Sequence, residues 1–174
     1  MSDPRYPIGK YEPQPYDDHL REQWIRDIRF LPALLEQTVT DLDAAQLGTP
    51  YREGGWTVQQ LVHHVADSHL NAYTRFKLGL TEDTPTIKPY EEKEWAKLAD
   101  VALPINVSLT LLHALHTRWV AVLEGIPTGD WETRQVVHPE TGKHLSLWVL
   151  LGSYAWHGRH HVAHITTLKQ AHGW

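Results

Sequence analysis

Four histidines lie within eight residues near the end of this chain, and their spacing suits metal binding. They are His157, His160, His161 and His164. They occupy positions i, i+3, i+4 and i+7 and therefore share one side of an α-helix. A pair at i and i+4 can place two imidazoles on one metal ion, as in the zinc-protease helix motif, although the glutamate of that motif is absent. Two ligands do not complete a site, so a third is expected from another element.

Helical spacing leaves two ligand pairs open. His160 with His164 and His157 with His161 are each separated by four residues, so spacing alone favours neither pair. On a helical wheel His161 lies nearest the apolar centre, which also suits a buried structural histidine. The alternative to a metal site is that these side chains are ordinary core or surface histidines with hydrogen bonds.

A second histidine-rich segment offers the third ligand. It contains His63, His64 and His69. With the apolar face centred near Val65, a rotation of about 100° per residue places His64 at the edge of the core and His63 toward solvent. His64 is therefore the predicted ligand, and Asp67, one turn further on, is its candidate outer-shell partner.

The hydrophobic pattern predicts four long helices to position these segments. Their expected starts are Asp17 or Asp18, Thr57, about Ile105 and about Leu147. Pro32 is expected to kink the first helix or to begin a second segment. A proline-rich extended arm covers residues 1–15, and a small β-hairpin over residues 135–145 precedes the last helix. The predicted fold is all-α, a four-helix bundle, in a single domain over residues 1–174.

Composition narrows the classes of function. The chain of 174 residues has a formal net charge of −5 and 13 histidines, which argues against a nucleic-acid partner and favours a metal site. It has no cysteine, so any reactive thiol belongs to a substrate. There is no apolar run of about 18 residues to span a membrane, and the N-terminal residues lack the order of a signal peptide. A cytoplasmic protein without a membrane partner is expected.

Several segments resemble the DinB/YfiT-like family nearly end to end. The most specific are Gly-Gly-Trp-Thr-Val at 54–58, His-His-Val-Ala-Asp-Ser-His at 63–69 and His-His-Val-Ala-His at 160–164. The resemblance implies a four-helix bundle, commonly a homodimer, with a divalent metal, zinc or nickel, held by three histidines. In the family these ligands are the second histidine of the first pair and the first and last of the later segment. The implied ligands are thus His64, His160 and His164.

The resemblance also implies a function, for which thiol transfer is the first hypothesis. The metal would bind a low-molecular-weight thiol such as bacillithiol and favour its thiolate, the nucleophile that attacks an electrophile. The alternative is a metal-dependent hydrolase using metal-bound water, with Asp67 or His157 as candidate acid or base. The third hypothesis is a non-enzymatic metal-binding module, with His157 or His161 as a fourth ligand.

Overall fold

Helices form the body of the protein. In the computed structural model, which describes residues 3–174, the α-helices are α1 (Asp18–Val39), α2 (Ala44–Leu47), α3 (Val58–Thr81), α4 (Glu92–Trp95), α5 (Asn106–Glu124), α6 (Asp130–Thr133) and α7 (Leu147–His172). The four long helices α1, α3, α5 and α7 form the bundle, and the short ones lie in the connections. The predicted all-α four-helix bundle is confirmed. None of the helices in this part of the chain has the length and apolar character needed to cross a membrane.

The packing order of the long helices makes α3 and α7 neighbours. Helix α1 packs against α5 and α7, and α3 packs against the same two helices. The capping box predicted for α3 is present, because Thr57 accepts from the backbone of Gln60 and the Gln60 side chain accepts from the backbone of Thr57. Because α3 and α7 are in contact, the two histidine segments lie on facing helices.

Helix α1 runs without a break past Pro32. A second segment does not begin there, since α1 is a single helix from Asp18 to Val39. Proline has no backbone N–H, so the carbonyl of Ile28, four residues earlier, has no helical donor. His116 of α5 supplies one instead, with its Nδ1 lying 2.5 Å from Ile28 O.

Two glycines of α7 allow a close approach to α1 and the arm. A Cβ atom at Gly158 would lie 2.6 Å from Leu31 Cδ2, and one at Gly152 would lie 2.7 Å from the ring of Trp24. Both separations are too short for any larger residue without a shift of the neighbours. Gly158 follows His157, so this contact helps to set the position of the histidine segment.

The arm and the hairpin occupy their predicted places. Residues 3–17 precede α1 without forming a helix, and the arm is fixed to α7 by two indole N–H groups, Trp148 to Gln14 O at 2.7 Å and Trp156 to Gly9 O at 3.1 Å. Strands β1 (Gln135–His138) and β2 (Lys143–Ser146) pair antiparallel directly before α7. The arm therefore runs along α7, from Trp148 near its start to Trp156 beside the histidine segment.

Candidate metal centre

Facing helices α3 and α7 bring three histidines to a common point. His157 Nε2 lies 3.2 Å from His64 Nε2 and 3.2 Å from His161 Nε2. One ring nitrogen from each of these residues lies within 4.8 Å of the other two. We call His64, His157 and His161 the cross-helix group.

The geometry of the cross-helix group fits a divalent metal. Zinc binds imidazole nitrogen at about 2.0–2.1 Å, and a tetrahedral arrangement then separates two ligand nitrogens by about 3.3 Å. The two separations of 3.2 Å match that edge. Three histidines also leave one position free, as in catalytic zinc sites.

Burial keeps these imidazoles in the form that binds metal. Desolvation lowers the pKa of His157 and His161 well below the ordinary value for histidine. Desolvation, with a smaller contribution from His160, lowers the pKa of His64 to about 4. The rings are therefore neutral near pH 7 and offer lone pairs without first losing a proton.

A second group lies entirely on α7. It consists of His160, His161 and His164, whose ligand atoms also lie within 4.8 Å of one another. The rings of His160 and His164 are 4.2 Å apart between centroids, and His164 Nδ1 lies 3.3 Å from His161 Nδ1. We call it the single-helix group, and His161 belongs to both groups.

Aromatic rings and the arm surround the single-helix group. Trp156 stacks on His160 with centroids 4.4 Å apart, and Tyr51 lies 4.1 Å from the ring of His164. His164 Nε2 lies 3.3 Å from the backbone oxygen of Arg5. The Nδ1 atom of His160 is buried and meets no hydrogen-bond partner within residues 3–174. These histidines thus serve at least as packing and hydrogen-bonding groups.

The predicted ligands His64, His160 and His164 are divided between the two groups. His160 and His164 come together on α7, whereas His64 meets His157 and His161 instead. Among residues 3–174, these three do not form a set with all ligand atoms within 4.8 Å. That ligand set stays a prediction. The pair that meets His64 is the other pair that helical spacing left open.

The surroundings of His63 and Asp67 on α3 differ from those that the sequence predicts. His63 was expected to face solvent, but it is buried, with Nδ1 2.8 Å from Ser108 Oγ and Nε2 3.0 Å from Leu103 O. The connection that precedes α5 covers this side of α3, which a helical wheel cannot foresee. Asp67 makes no hydrogen bond to His64 in the described chain. Desolvation, followed by the charge of Asp100, raises the pKa of Asp67 to about 6.

Sequence reasoning missed two histidines behind the cross-helix group. His69 Nε2 lies 3.2 Å from His157 Nδ1, and His69 Nδ1 lies 3.0 Å from His116 Nε2. On the helical wheel His69 lies on the apolar face of α3, and the sequence indicates no role for it or for His116. The available signal was a fully buried position for a polar ring, which requires hydrogen-bond partners.

A cavity of about 420 Å³ adjoins the cross-helix group. His157 lines it together with Arg75, Tyr90, Glu92 and Tyr154. Arg75 donates to Tyr154 Oη at 2.7 Å, which holds the guanidinium at the cavity wall. A larger cavity of about 810 Å³ lies between α1 and the α5–α6 connection and has no histidine in its lining. Of these two cavities, the smaller is therefore the one with a member of the cross-helix group in its wall.

Comparison with known proteins places the chain in a family. The DinB superfamily model matches residues 27–165, so the chain belongs to the DinB superfamily. A protein of Bacillus cereus named "Putative metal-dependent hydrolase" is 53% identical over 175 residues and 100% of both chains. One of the same name from Bacillus anthracis is 51% identical over 100% of both chains.

A solved structure agrees with the fold. YfiT from Bacillus subtilis, described as "a probable metal-dependent hydrolase with an unusual four-helix bundle topology", superposes with a TM-score of 0.95. It is 46% identical, and the match covers 98% of each chain. The relatives are thus named for a metal-dependent activity, and this chain carries histidine groups able to hold a metal.

Proposed function

We propose that this protein is a metal-dependent hydrolase that holds one divalent ion, zinc or nickel, on His64, His157 and His161. The observation that carries this proposal is the meeting of three neutral imidazole nitrogens from two helices, with two separations of 3.2 Å. The names of the relatives support the same class of activity. A divalent metal supplies Lewis acidity there, which lowers the pKa of a water molecule or a thiol that reaches it.

The chain itself binds and orients the substrate. His157 belongs both to the cross-helix group and to the wall of the 420 Å³ cavity, so a small substrate in that cavity lies beside the group. Arg75 is the cation of the cavity wall and forms no ion pair within 4.0 Å in the described chain. Its guanidinium donates to Tyr154 Oη and to Lys88 O, which holds it at the wall, where its positive charge attracts an anionic group of the substrate.

Thiol transfer is the second candidate, and one observation favours it. Both groups consist of histidines alone, and no aspartate or glutamate of residues 3–174 joins either. Hydrolysis gains from a nearby general base, whereas a thiolate is already the nucleophile once its proton is lost. A low-molecular-weight thiol, such as bacillithiol, would then attack an electrophile held in the same cavity.

A paired assay on zinc-loaded protein separates the two reactions. One arm follows hydrolysis of p-nitrophenyl acetate, and the other follows conjugation of monochlorobimane to bacillithiol, glutathione or cysteine. We expect ester turnover that is lost in His64→Ala, because His64 belongs to the proposed and to the predicted ligand set. His113→Ala is the control, since His113 is an exposed histidine of α5 whose ring pairs with Glu36.

The outcomes of this assay are distinct. Conjugation without hydrolysis would replace the hydrolase with the thiol transferase. Neither reaction, in protein shown to hold one zinc per chain, would contradict both activities for these substrates and leave a metal-binding module. Retention of zinc and activity in His64→Ala would contradict both the proposed ligand set and the one predicted from the sequence, because His64 belongs to each.

A further inference from the structure

Five histidines form a continuous chain of polar contacts that crosses the bundle interior. In order, it joins Ile28 O, His116, His69, His157, His161, His164 and Arg5 O. The successive separations are 2.5, 3.0, 3.2, 3.2, 3.3 and 3.3 Å. The chain therefore connects α1 to the N-terminal arm and passes through two members of the cross-helix group.

This chain of histidine contacts has one proton too few for every contact to be a hydrogen bond. Both ends are backbone carbonyls, which only accept. Five neutral imidazoles carry five N–H groups, one each, while the path contains six contacts. One contact must therefore bring two lone pairs face to face. Because this count rests on the carbonyl ends, it does not depend on the tautomer assigned to any single ring.

The two carbonyls fix the protons of the end rings, His116 and His164, and a cation at the cross-helix group selects the His157–His161 contact as the one without a proton. With that contact unprotonated, His116 donates from Nδ1 to Ile28 O and accepts at Nε2 from Nδ1 of His69, whose Nε2 accepts from Nδ1 of His157. This order leaves the lone pair of His157 on Nε2.

The other end of the chain repeats the argument. With the same contact unprotonated, His164 donates from Nε2 to Arg5 O and accepts at Nδ1 from Nδ1 of His161, which leaves the lone pair of His161 on Nε2. The two unprotonated nitrogens then face each other at 3.2 Å. His64 Nε2 lies 3.2 Å from the same atom of His157, so a cation at this junction takes the place of the missing proton.

Pro32 makes the first anchor possible. In an uninterrupted helix the N–H of residue 32 would donate to Ile28 O, and proline removes that donor. The freed carbonyl lies beside α5 and accepts from His116. A proline inside a helix costs stability, so its presence at the position that frees the anchor is consistent with a role at the site.

We propose that His69, His116 and His164 are positioning residues that hold the lone pairs of His157 and His161 on the metal, with Pro32 supplying the free carbonyl that sets the direction. The proposal rests on the proposed metal site. It assigns His164 to the support of a ligand, in contrast to the predicted role of His164 as a ligand. Outer hydrogen bonds of this kind fix the tautomer and the orientation of metal-bound histidine.

Zinc affinity, measured by competition with a chromophoric chelator, tests the proposal without any activity assay. His69→Leu should weaken zinc binding by about 10–100-fold, the usual cost of losing an outer partner. His69→Gln should recover most of that loss, because its side-chain oxygen can accept from His157 Nδ1. His63→Leu is the matched control, since His63 is a buried histidine of the same helix with two polar contacts outside the chain.

A spectroscopic readout distinguishes positioning from general destabilisation. In ¹⁵N-labelled, zinc-loaded protein, long-range ¹H–¹⁵N spectra should show His69 and His116 protonated on Nδ1 and His164 protonated on Nε2. The opposite tautomers would overturn the proposal. Unchanged zinc affinity in His69→Leu would overturn it as well and leave the metal site intact. Wild-type protein that binds no zinc would instead refute the proposed function, and the positioning role with it.

Discussion

The two histidine groups share a ring and a helix but differ in what faces them. The cross-helix group receives His64 from α3, and its nitrogens are separated by distances that fit a metal. The single-helix group draws all its members from α7 and is packed against Trp156 and Tyr51. The difference indicates that histidine spacing along one helix does not select a ligand set, whereas contact with His64 of the neighbouring helix distinguishes the two pairs that spacing left open.

The backbone contacts of the two groups sharpen this comparison. His157 is connected through His69 and His116 to a carbonyl of α1, and His164 bonds directly to a carbonyl of the arm. In the proposed arrangement, both connections direct lone pairs toward the His157–His161 contact. His164 of the single-helix group then supports a ligand of the cross-helix group.

The largest expected effect is loss of stability in acid, which both groups should share. Desolvation lowers the native pKa of His64 in the cross-helix group, of His160 in the single-helix group and of His116 behind them to about 4, below the value of about 6.5 in an unfolded chain. Between about pH 6.5 and 4 the unfolded state binds more protons than the native state, so the free energy of unfolding falls as the pH drops through this range. Each such histidine lowers the free energy of unfolding by about 1.4 kcal/mol per pH unit there.

Urea unfolding of metal-free protein at several pH values measures this slope. His116→Gln should reduce this slope by the share of one histidine. Zinc should add stability near pH 7 and lose that increment in acid as the ligands protonate. A free energy of unfolding that stays constant between about pH 6.5 and 5 would contradict the burial of neutral histidines.

The next effect concerns the contact that holds α7 against α1. Gly158→Ala places a Cβ atom 2.6 Å from Leu31 Cδ2, and such overpacking costs about 1–3 kcal/mol. Gly129→Ala is the control, because a Cβ there has nothing within 4 Å and the φ angle is −68°. The control should be neutral or stabilising by about 0.4–1 kcal/mol. Equal urea midpoints for the two variants would argue against the close approach.

The smallest effect separates the roles of the two groups. Trp156→Phe removes the N–H that donates to Gly9 O and reduces the ring that stacks on His160. The lost hydrogen bond costs about 0.5–1.5 kcal/mol, and zinc content should not change. Loss of stoichiometric zinc in this variant would show instead that the single-helix group holds the metal.

Much of the fold follows from the sequence because its signals are local. Apolar spacing located the long helices, Thr57 and Gln60 marked the start of α3, and the prolines defined the arm. The candidate site was foreseeable as far as histidine segments on two helices that had to face each other. The rotation of α7 about its axis, which selects His157 and His161 as neighbours of His64, depends on contacts such as Gly158 with Leu31.

The remaining features depend on contacts between distant parts of the chain. The burial of His63 follows from the connection that covers α3, and no helical period encodes it. Pro32 is a residue type that commonly ends a helix. The carbonyl that it leaves without a helical donor, that of Ile28, instead accepts from His116 of α5. Only the three-dimensional arrangement shows that donor, and with it the role of His116.

The most direct test of the central claim is the zinc content of His157→Ala beside that of His160→Ala, measured after gel filtration of zinc-saturated protein. Both residues lie on α7, and only one belongs to the cross-helix group. The cross-helix site predicts that His157→Ala loses its zinc and that His160→Ala keeps one per chain. Zinc retained by His157→Ala and lost by His160→Ala would contradict this site and restore the ligand set predicted from the sequence.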